Sequence, residues 1–149
     1  MTPTKSKQKR IEPTAKITDE EKAAMRELAR EVKAQRDGTA EGERDVREKI
    51  TAMPESDRVM AERIDELVKT YAPELTPRTW YGMPAYAKNG KVICFFKAAD
   101  KFKTRYATFG FEEPAKLDDG SMWATSWALT SLDEADAARI GELIKKAAS

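Results

Sequence analysis

The spacing of the apolar residues changes near Pro73 and Pro77, and this change limits the possible folds most. Before the two prolines, apolar residues from Met60 to Tyr71 recur every three to four positions, as on one face of a helix. After them, short apolar runs are separated by turn residues, and Asn89-Gly90 is the strongest hairpin signal. Strands joined by tight turns pair antiparallel. The sequence therefore predicts an α+β fold, a two-layer sandwich whose antiparallel sheet is covered on one face by N- and C-terminal helices.

Other elements follow from capping and alternation. Thr18 and Glu21 have capping-box spacing and predict a charged helix over about 18–36. Ser131 and Glu134 have the same spacing and predict the start of a last helix. Further helices are predicted at about 43–52 and 56–71, and strands at 79–81, 85–88, 91–96, 102–108 and 121–128.

The chain divides into two predicted regions. Residues 1–42 comprise a basic arm expected to be disordered (1–16), the charged helix and a linker, whereas residues 43–149 form the folded domain. The apolar stripe of the charged helix consists only of Met25, Leu28 and Val32. A stripe this thin predicts weak docking, either on the domain or on a partner.

Composition removes several classes of function. The 149 residues include no histidine and one cysteine, Cys94, which excludes Ser-His-Asp triads, Cys-His dyads, histidine-containing zinc sites and a disulfide within the chain. Cys94 lies in an apolar run and is expected to be a buried structural thiol. Without a base or a phosphate loop, the protein is predicted to be non-enzymatic. The absence of an apolar spanning run or signal region predicts a cytoplasmic protein and no membrane partner.

Charge and aromatic residues are concentrated in one stretch. The net charge is +1, but residues 76–105 carry seven basic residues and one acidic residue, interleaved with aromatics. Such a surface can bind an anionic or aromatic small molecule, or single-stranded nucleic acid. Alternatively, the aromatics fill the core and the lysines protect strand edges. No recognition signature accompanies the stretch, which disfavours nucleic acid.

The most unusual run in this stretch is Trp-Tyr-Gly-Met-Pro at 80–84. Its glycine and proline fix a sharp turn, and its aromatics can line a pocket or form a structural corner. Arg105 and Trp123 add a charge and a ring from later strands. The candidate ligand-binding residues are Trp80, Tyr81, Gly82, Met83, Pro84, Arg105 and Trp123.

A second candidate site consists of carboxylates on the helix predicted at 56–71. Glu62, Asp65 and Glu66 lie on neighbouring turns and could supply the oxygen ligands that a hard cation prefers. Arg58 and Arg63 are interspersed among them. The alternative is therefore a solvated helix face whose charges neutralise each other.

These residues also resemble a known family. The helix Met60–Tyr71, followed by Ala-Pro-Glu-Leu, Trp-Tyr-Gly-Met-Pro-Ala-Tyr and Gly-Lys-Val-Ile-Cys-Phe-Phe, is similar to the YdhG-like domains of unknown function. The similarity covers roughly residues 43–147. It implies a frataxin-like sandwich. A bacterial member is regarded as an iron chaperone, which implies iron as ligand and iron–sulfur or haem assembly proteins as partners.

Three functions remain open at this point, and the least favoured is an interaction adaptor that works through the helix at 18–36. The first is a YdhG-like domain that binds iron through the carboxylates of the helix at 56–71. The second is a module that binds an anionic or aromatic ligand on the basic aromatic sheet.

Overall fold

The computed structural model describes residues 17–34 and 39–149; the predicted basic arm (1–16) and residues 35–38 lie outside the described part. The described helices are α1 (Asp19–Ala34), α2 (Thr39–Thr51), α3 (Glu55–Tyr71), α4 (Ala99–Phe102) and α5 (Glu134–Ala148). The strands are β1 (Thr76–Trp80), β2 (Met83–Lys88), β3 (Lys91–Lys97), β4 (Ala107–Phe111) and β5 (Ser126–Leu129).

The five strands form one antiparallel sheet in the order β1-β2-β3-β4-β5. Each strand pairs with the next one along the chain, as expected where short connections join successive strands. The predicted α+β class and antiparallel sheet are therefore confirmed.

One face of the sheet carries the hydrophobic core. Tyr86 lies opposite Cys94 and Phe96 opposite Phe109, and all four side chains are almost fully buried. α3 and α5 cover this face, and the Tyr86 hydroxyl donates a hydrogen bond of 2.8 Å to Asp65 of α3. The helices predicted at 56–71 and after residue 131 thus cover the core face, in accordance with their apolar stripes.

α2 packs beside β1 and begins at Thr39, so the predicted start near residue 43 is wrong. Val46 and Ile50 of α2 enter the core. Gly42 lies against the backbone carbonyl of Pro77, where a Cβ atom would clash. The predicted linker therefore includes the first turn of a helix, because a glycine that weakens a helix by itself is required here by close packing.

α4 replaces the first half of the strand predicted at 102–108, and β4 begins only at Ala107. Asp57 of α3 is 3% exposed and accepts hydrogen bonds from the backbone nitrogens of Ala99 (3.2 Å) and Asp100 (3.0 Å). These bonds satisfy N–H groups at the start of the helix that would otherwise lack partners. The alternation that predicted a strand could not reveal a cap supplied by a distant helix.

Two further boundaries differ from the predictions. β5 is shorter than the strand predicted at 121–128, and α5 is capped two residues later than predicted. The Asp133 carboxylate accepts a hydrogen bond of 2.7 Å from the Asp136 backbone nitrogen, and the Asp136 carboxylate accepts one of 3.1 Å from the Asp133 backbone nitrogen. The predicted pair Ser131 and Glu134 has the same spacing, so spacing alone could not separate the two candidates.

α1 lies against the sheet face opposite the core. The predicted capping box is confirmed, because Thr18 and Glu21 exchange two hydrogen bonds of 3.0 Å. α1 approaches Met83 and Phe95, whose side chains alternate away from the core face. The sheet thus has helical cover on both faces at its β1–β3 side, so the prediction that helices cover one face alone is wrong. None of the described helices has the length and apolar character needed to cross a membrane.

Candidate functional site

The Trp80–Pro84 segment forms a tight turn between β1 and β2. Its central residues both have a left-handed backbone, with φ of 55° at Tyr81 and 78° at Gly82. The Asn89-Gly90 turn has the same geometry, with the residues that a hairpin of this type prefers. A bulky residue in this conformation is rare and costs about 1–2 kcal/mol. Tyr81 therefore marks this turn as a candidate functional site.

α1 places a carboxylate directly over the turn. The Gly82 nitrogen donates a hydrogen bond of 3.1 Å to Glu31 Oε2, and the Tyr81 backbone interacts with the same carboxylate. N–H groups of successive turn residues can form a small concave anion site. Burial raises the pKa of Glu31; contacts with Thr79 and the turn offset the rise in part, and the charge of Glu27 adds to it.

A second carboxylate of α1 bridges two lysines of the domain. Glu27 accepts hydrogen bonds from Lys49 Nζ of α2 (2.7 Å) and Lys101 Nζ of α4 (3.0 Å), and its side chain is 15% exposed. Burial by itself would raise the pKa of Glu27. The hydrogen bonds and charges of the two lysines outweigh that effect and lower the pKa below its ordinary value.

Arg78 of β1 lies on the same side of the sheet. Burial lowers the pKa of Arg78, and the nearby charge of Glu31 offsets this in part. Arg78 Nε and Glu31 Oε1 are both buried without a hydrogen-bond partner among the described residues. We call the groups that surround the two carboxylates the anion cradle: the side chains of Lys49, Arg78 and Lys101 and the backbone N–H groups of Tyr81 and Gly82.

Beside the anion cradle, α1 and the sheet enclose a cleft of about 490 Å³. This volume lies within the roughly 300–1,000 Å³ typical of small-molecule sites. Most of the lining is apolar or aromatic, so the cleft favours a ligand with an aromatic or apolar body. The charged residues of the lining are Glu21 of α1 and Lys97 of β3. The apolar lining comprises Ile17, Ala24, Met25, Tyr81, Met83, Phe95 and Phe102.

Lys97 is the basic group of the cleft. Its Nζ lies 5.1 Å from the centroid of the Phe102 ring, a favourable position for a cation. It forms no ion pair with any residue of the described part of the chain. The Lys97 ammonium is thus available to an anionic group of a ligand.

The structure places the predicted residues of the Trp80–Pro84 turn in different environments. Tyr81 and Met83 line the cleft, and Gly82 belongs to the anion cradle. Trp80 is half-buried, with its ring centroid 5.2 Å from that of Tyr81. Pro84 is fully buried in the interior. The turn therefore has both predicted roles, because Pro84 packs in the interior as part of a structural corner while Tyr81 and Met83 form one wall of the cleft.

Arg105 and Trp123 do not join the other predicted ligand-binding residues. Arg105 is exposed, with its guanidinium carbon 5.1 Å from the centroid of the Tyr106 ring. Trp123 is 41% exposed and lines a separate groove of about 680 Å³ along residues 111–118. Neither residue lines the cleft.

The predicted metal ligands Glu62, Asp65 and Glu66 lie along a groove between α2 and α3. Each forms a salt bridge with a basic residue of α3, at nitrogen–oxygen distances between 3.0 and 3.8 Å. Within residues 17–34 and 39–149, no three or more acidic or cysteine side chains are grouped in a way that could hold a metal ion. These salt bridges accord with a helix face whose charges neutralise each other, and metal binding by the three carboxylates stays a prediction.

Cys94 is buried in the core beside Tyr86, as its apolar surroundings predicted. Burial raises the pKa of the Cys94 thiol far above its ordinary value. The protonated, inaccessible thiol is unsuited to nucleophilic chemistry.

Sequence reasoning missed the residues that complete the site. Glu27 and Glu31 are four positions apart on α1 and so lie on one face of the helix. That spacing was a detectable signal. Lys97 and Lys101 belong to the basic stretch 76–105, but nothing in the sequence relates them or Lys49 to α1.

Comparison of the chain with protein-family models, with curated proteins and with solved structures finds no match.

Proposed function

We propose that this protein is a binding module for a small molecule that has an aromatic or apolar body and an anionic group. The cleft between α1 and the sheet supports the proposal, because it places the Lys97 ammonium among the rings of Tyr81, Phe95 and Phe102. The rings would stack on the body of the ligand, and Lys97 would bind its charged group.

A small molecule fits this surface better than a nucleic acid strand does. α1 lies over the face that carries Met83 and Phe95, so a strand would have to displace the helix before its bases could stack there. The cleft volume accommodates one compact ligand without that rearrangement.

Membership of the YdhG-like family remains a prediction. The Trp-Tyr-Gly-Met-Pro run that carries the resemblance builds one wall of the cleft. Iron binding, which the resemblance implies, also remains a prediction, and the salt-bridged carboxylates of α3 do not favour it.

Two fluorescent probes with the same aromatic body test the proposal. Anilinonaphthalene sulfonate carries an anionic group, and anilinonaphthalene lacks it. We expect both to bind, with the sulfonate binding more tightly. Lys97→Gln should weaken the sulfonate by on the order of tenfold and leave the uncharged probe unchanged, because only one charge-assisted contact is lost.

Two further variants complete the design. Lys91→Gln removes the same charge from an exposed position on the same strand and should leave both affinities unchanged. Phe102→Leu should weaken both probes by roughly fivefold, because it removes an aromatic contact from the cleft. If neither probe binds, or if Lys91→Gln matches Lys97→Gln, the proposed site is wrong.

A further inference from the structure

α1 is held on the domain mainly by its acidic side chains. Among the side chains of α1 that the structure describes, only Ala24 is fully buried, and Met25 is 51% exposed. Glu27 and Glu31, by contrast, make three hydrogen bonds of 2.7–3.1 Å to the domain. Leu28 is half-buried, so among the described side chains of α1 the polar contacts of Glu27 and Glu31 add to a small apolar contact.

The anion cradle is assembled from separate elements. Lys49 comes from α2, Lys101 from α4, Arg78 from β1, and the N–H groups of Tyr81 and Gly82 from the turn. Glu27 forms ion pairs with both lysines, Glu31 accepts from the Gly82 N–H group, and Arg78 lies near enough to Glu31 to feel its charge without forming an ion pair with it. Without α1, three cations and two turn N–H groups would face one side of the sheet.

We propose that the anion cradle is a docking site for an acidic helical segment of a partner protein, and that α1 occupies it in the free protein as an intramolecular competitor. The partner segment would carry two carboxylates four residues apart, matching Glu27 and Glu31. One carboxylate would bridge the two lysines, and the other would accept from the turn N–H groups.

Charge complementarity favours an acidic helix over a single small anion. The two positions that the α1 carboxylates occupy are distinct: Glu27 contacts lysine side chains, and Glu31 contacts the turn backbone. A partner that presents both carboxylates from one rigid helix fills both positions with one binding event. A single small anion fills one of them.

The strained turn supports this assignment independently. Tyr81 has a positive φ, which a bulky residue rarely adopts. The equivalent position of the second hairpin is Asn89, a residue type that tolerates this conformation. The resulting backbone directs the Gly82 N–H group at the Glu31 carboxylate, while the tyrosine ring lines the adjacent cleft. Departure of α1 would also remove one wall of that cleft, but the docking proposal does not depend on any cleft ligand.

A synthetic peptide spanning residues 17–34 serves as the acidic helix, and NMR of the backbone amides reports its binding. The target is the full-length chain with Glu27→Gln, in which the intramolecular competitor loses the carboxylate that bridges Lys49 and Lys101. At low salt we expect the Gly82 amide resonance to shift on titration. The affinity should be at least about tenfold higher than for the unmodified protein.

Three controls define the specificity. A peptide carrying Glu27→Gln should leave the Gly82 resonance in place. Adding Lys49→Gln and Lys101→Gln to the target should abolish binding, whereas adding Lys91→Gln should not. Unchanged resonances of β3 and α5 would establish that each target is folded.

Three outcomes would overturn the proposal. The first is an unshifted Gly82 amide in the folded Glu27→Gln variant at millimolar peptide. The second is equal binding of the glutamine peptide, which would show that the Glu27 carboxylate is not recognised. The third is equal affinity for the unmodified protein, which would show that α1 does not compete. Probe binding in the cleft is measured separately, so failure here leaves the proposed function standing.

Discussion

Gly82 is the residue at which the turn, the anion cradle and α1 meet. Its φ of 78° favours glycine, and a Cβ atom would overlap the Glu27 carboxylate and approach Lys101. Gly90 has nearly the same φ, 79°, but nothing lies within 4 Å of a Cβ built there. The two glycines therefore separate the cost of backbone strain from the cost of crowding.

We expect Gly90→Ala to reduce the free energy of unfolding by about 1 kcal/mol through strain alone. Gly82→Ala should produce similar strain and should additionally speed exchange in α1, because the new methyl group displaces the Glu27 carboxylate from its contact with Lys101. Urea denaturation measures the first effect, and hydrogen exchange of the α1 amides measures the second. Equal α1 exchange in the two variants would contradict the crowding that the structure shows.

Glu31 and Glu27 should give α1 docking opposite dependences on pH. The pKa of Glu31 is raised, so its contribution is lost as the pH rises from 4.5 through that raised pKa. The pKa of Glu27 is lowered, so its contribution is lost as the pH falls from 4.5 through that lowered pKa. Docking should therefore be strongest just above pH 4.5.

Glu31→Gln should remove the decline of docking at higher pH, and Glu27→Gln should remove the decline at lower pH. The groups that face Glu31 are Arg78, Thr79, Glu27 and the turn N–H groups. The Gly82 amide shift, followed between about pH 4 and 8, measures docking in each variant. A Glu31→Gln profile identical to that of the unmodified protein would show that this carboxylate does not titrate in contact with the turn.

At the scale of elements, α4 depends on a cap from another helix. Asp57 satisfies two backbone N–H groups of α4 from a nearly inaccessible position. α4 in turn carries Lys101 to the anion cradle and Phe102 to the cleft. A cap on a four-residue helix therefore positions groups in both parts of the candidate site.

Asp57→Ala should lower the free energy of unfolding by about 2–3 kcal/mol, because it leaves buried N–H groups without an acceptor. The matched change Asp133→Ala removes the exposed cap of α5 and should cost about 1 kcal/mol. Urea denaturation compares the two. Equal losses would show that burial adds nothing to the Asp57 cap.

At the scale of the whole molecule, two kinds of attachment coexist. Residues such as Ile64, Phe96 and Ile144 join α3, β3 and α5 through a dry apolar core. α1 is joined through ion pairs and a turn N–H group. Salt screens ion pairs but not apolar burial, so the two attachments should respond differently to ionic strength.

Raising the salt from about 50 mM to about 500 mM shortens the Debye length severalfold and should speed amide exchange in α1 by roughly threefold or more. Exchange in α3 and β3 should stay unchanged. Hydrogen-exchange mass spectrometry resolves both regions in one experiment. Glu27→Gln provides the control, because it should show fast α1 exchange at low salt already. Salt-independent exchange in α1 would indicate that apolar contacts hold the helix.

Local pattern carried much of the fold information. Helical spacing from Met60 to Tyr71 predicted α3, the Thr18–Glu21 pair predicted the cap of α1, and Asn89-Gly90 predicted the second hairpin. These features depend on residues close together in the chain, so composition and spacing suffice to detect them. The Trp-Tyr-Gly-Met-Pro run is recognisable for the same reason, because its turn residues and aromatics are adjacent in the sequence.

Other features depended on partners distant in sequence. α4 forms where a strand was predicted because Asp57 caps it, and α2 starts early because Gly42 packs against the Pro77 backbone. The anion cradle surrounds carboxylates only because α1 lies over the turn. No local sequence pattern predicts these tertiary contacts, because they form only when the helices and strands pack together.

The sequence by itself thus determined that strands follow α3 through tight turns, and that an unusual turn lies among basic and aromatic residues. Tertiary structure alone decided that Tyr81 and Met83 open onto a cleft with Lys97, and that two carboxylates of α1 occupy the neighbouring anion cradle. The physical reason is the distance in sequence between the interacting residues. Residue spacing reflects contacts between neighbours along the chain, whereas burial, pKa shifts and ion pairs arise from groups that only folding brings together.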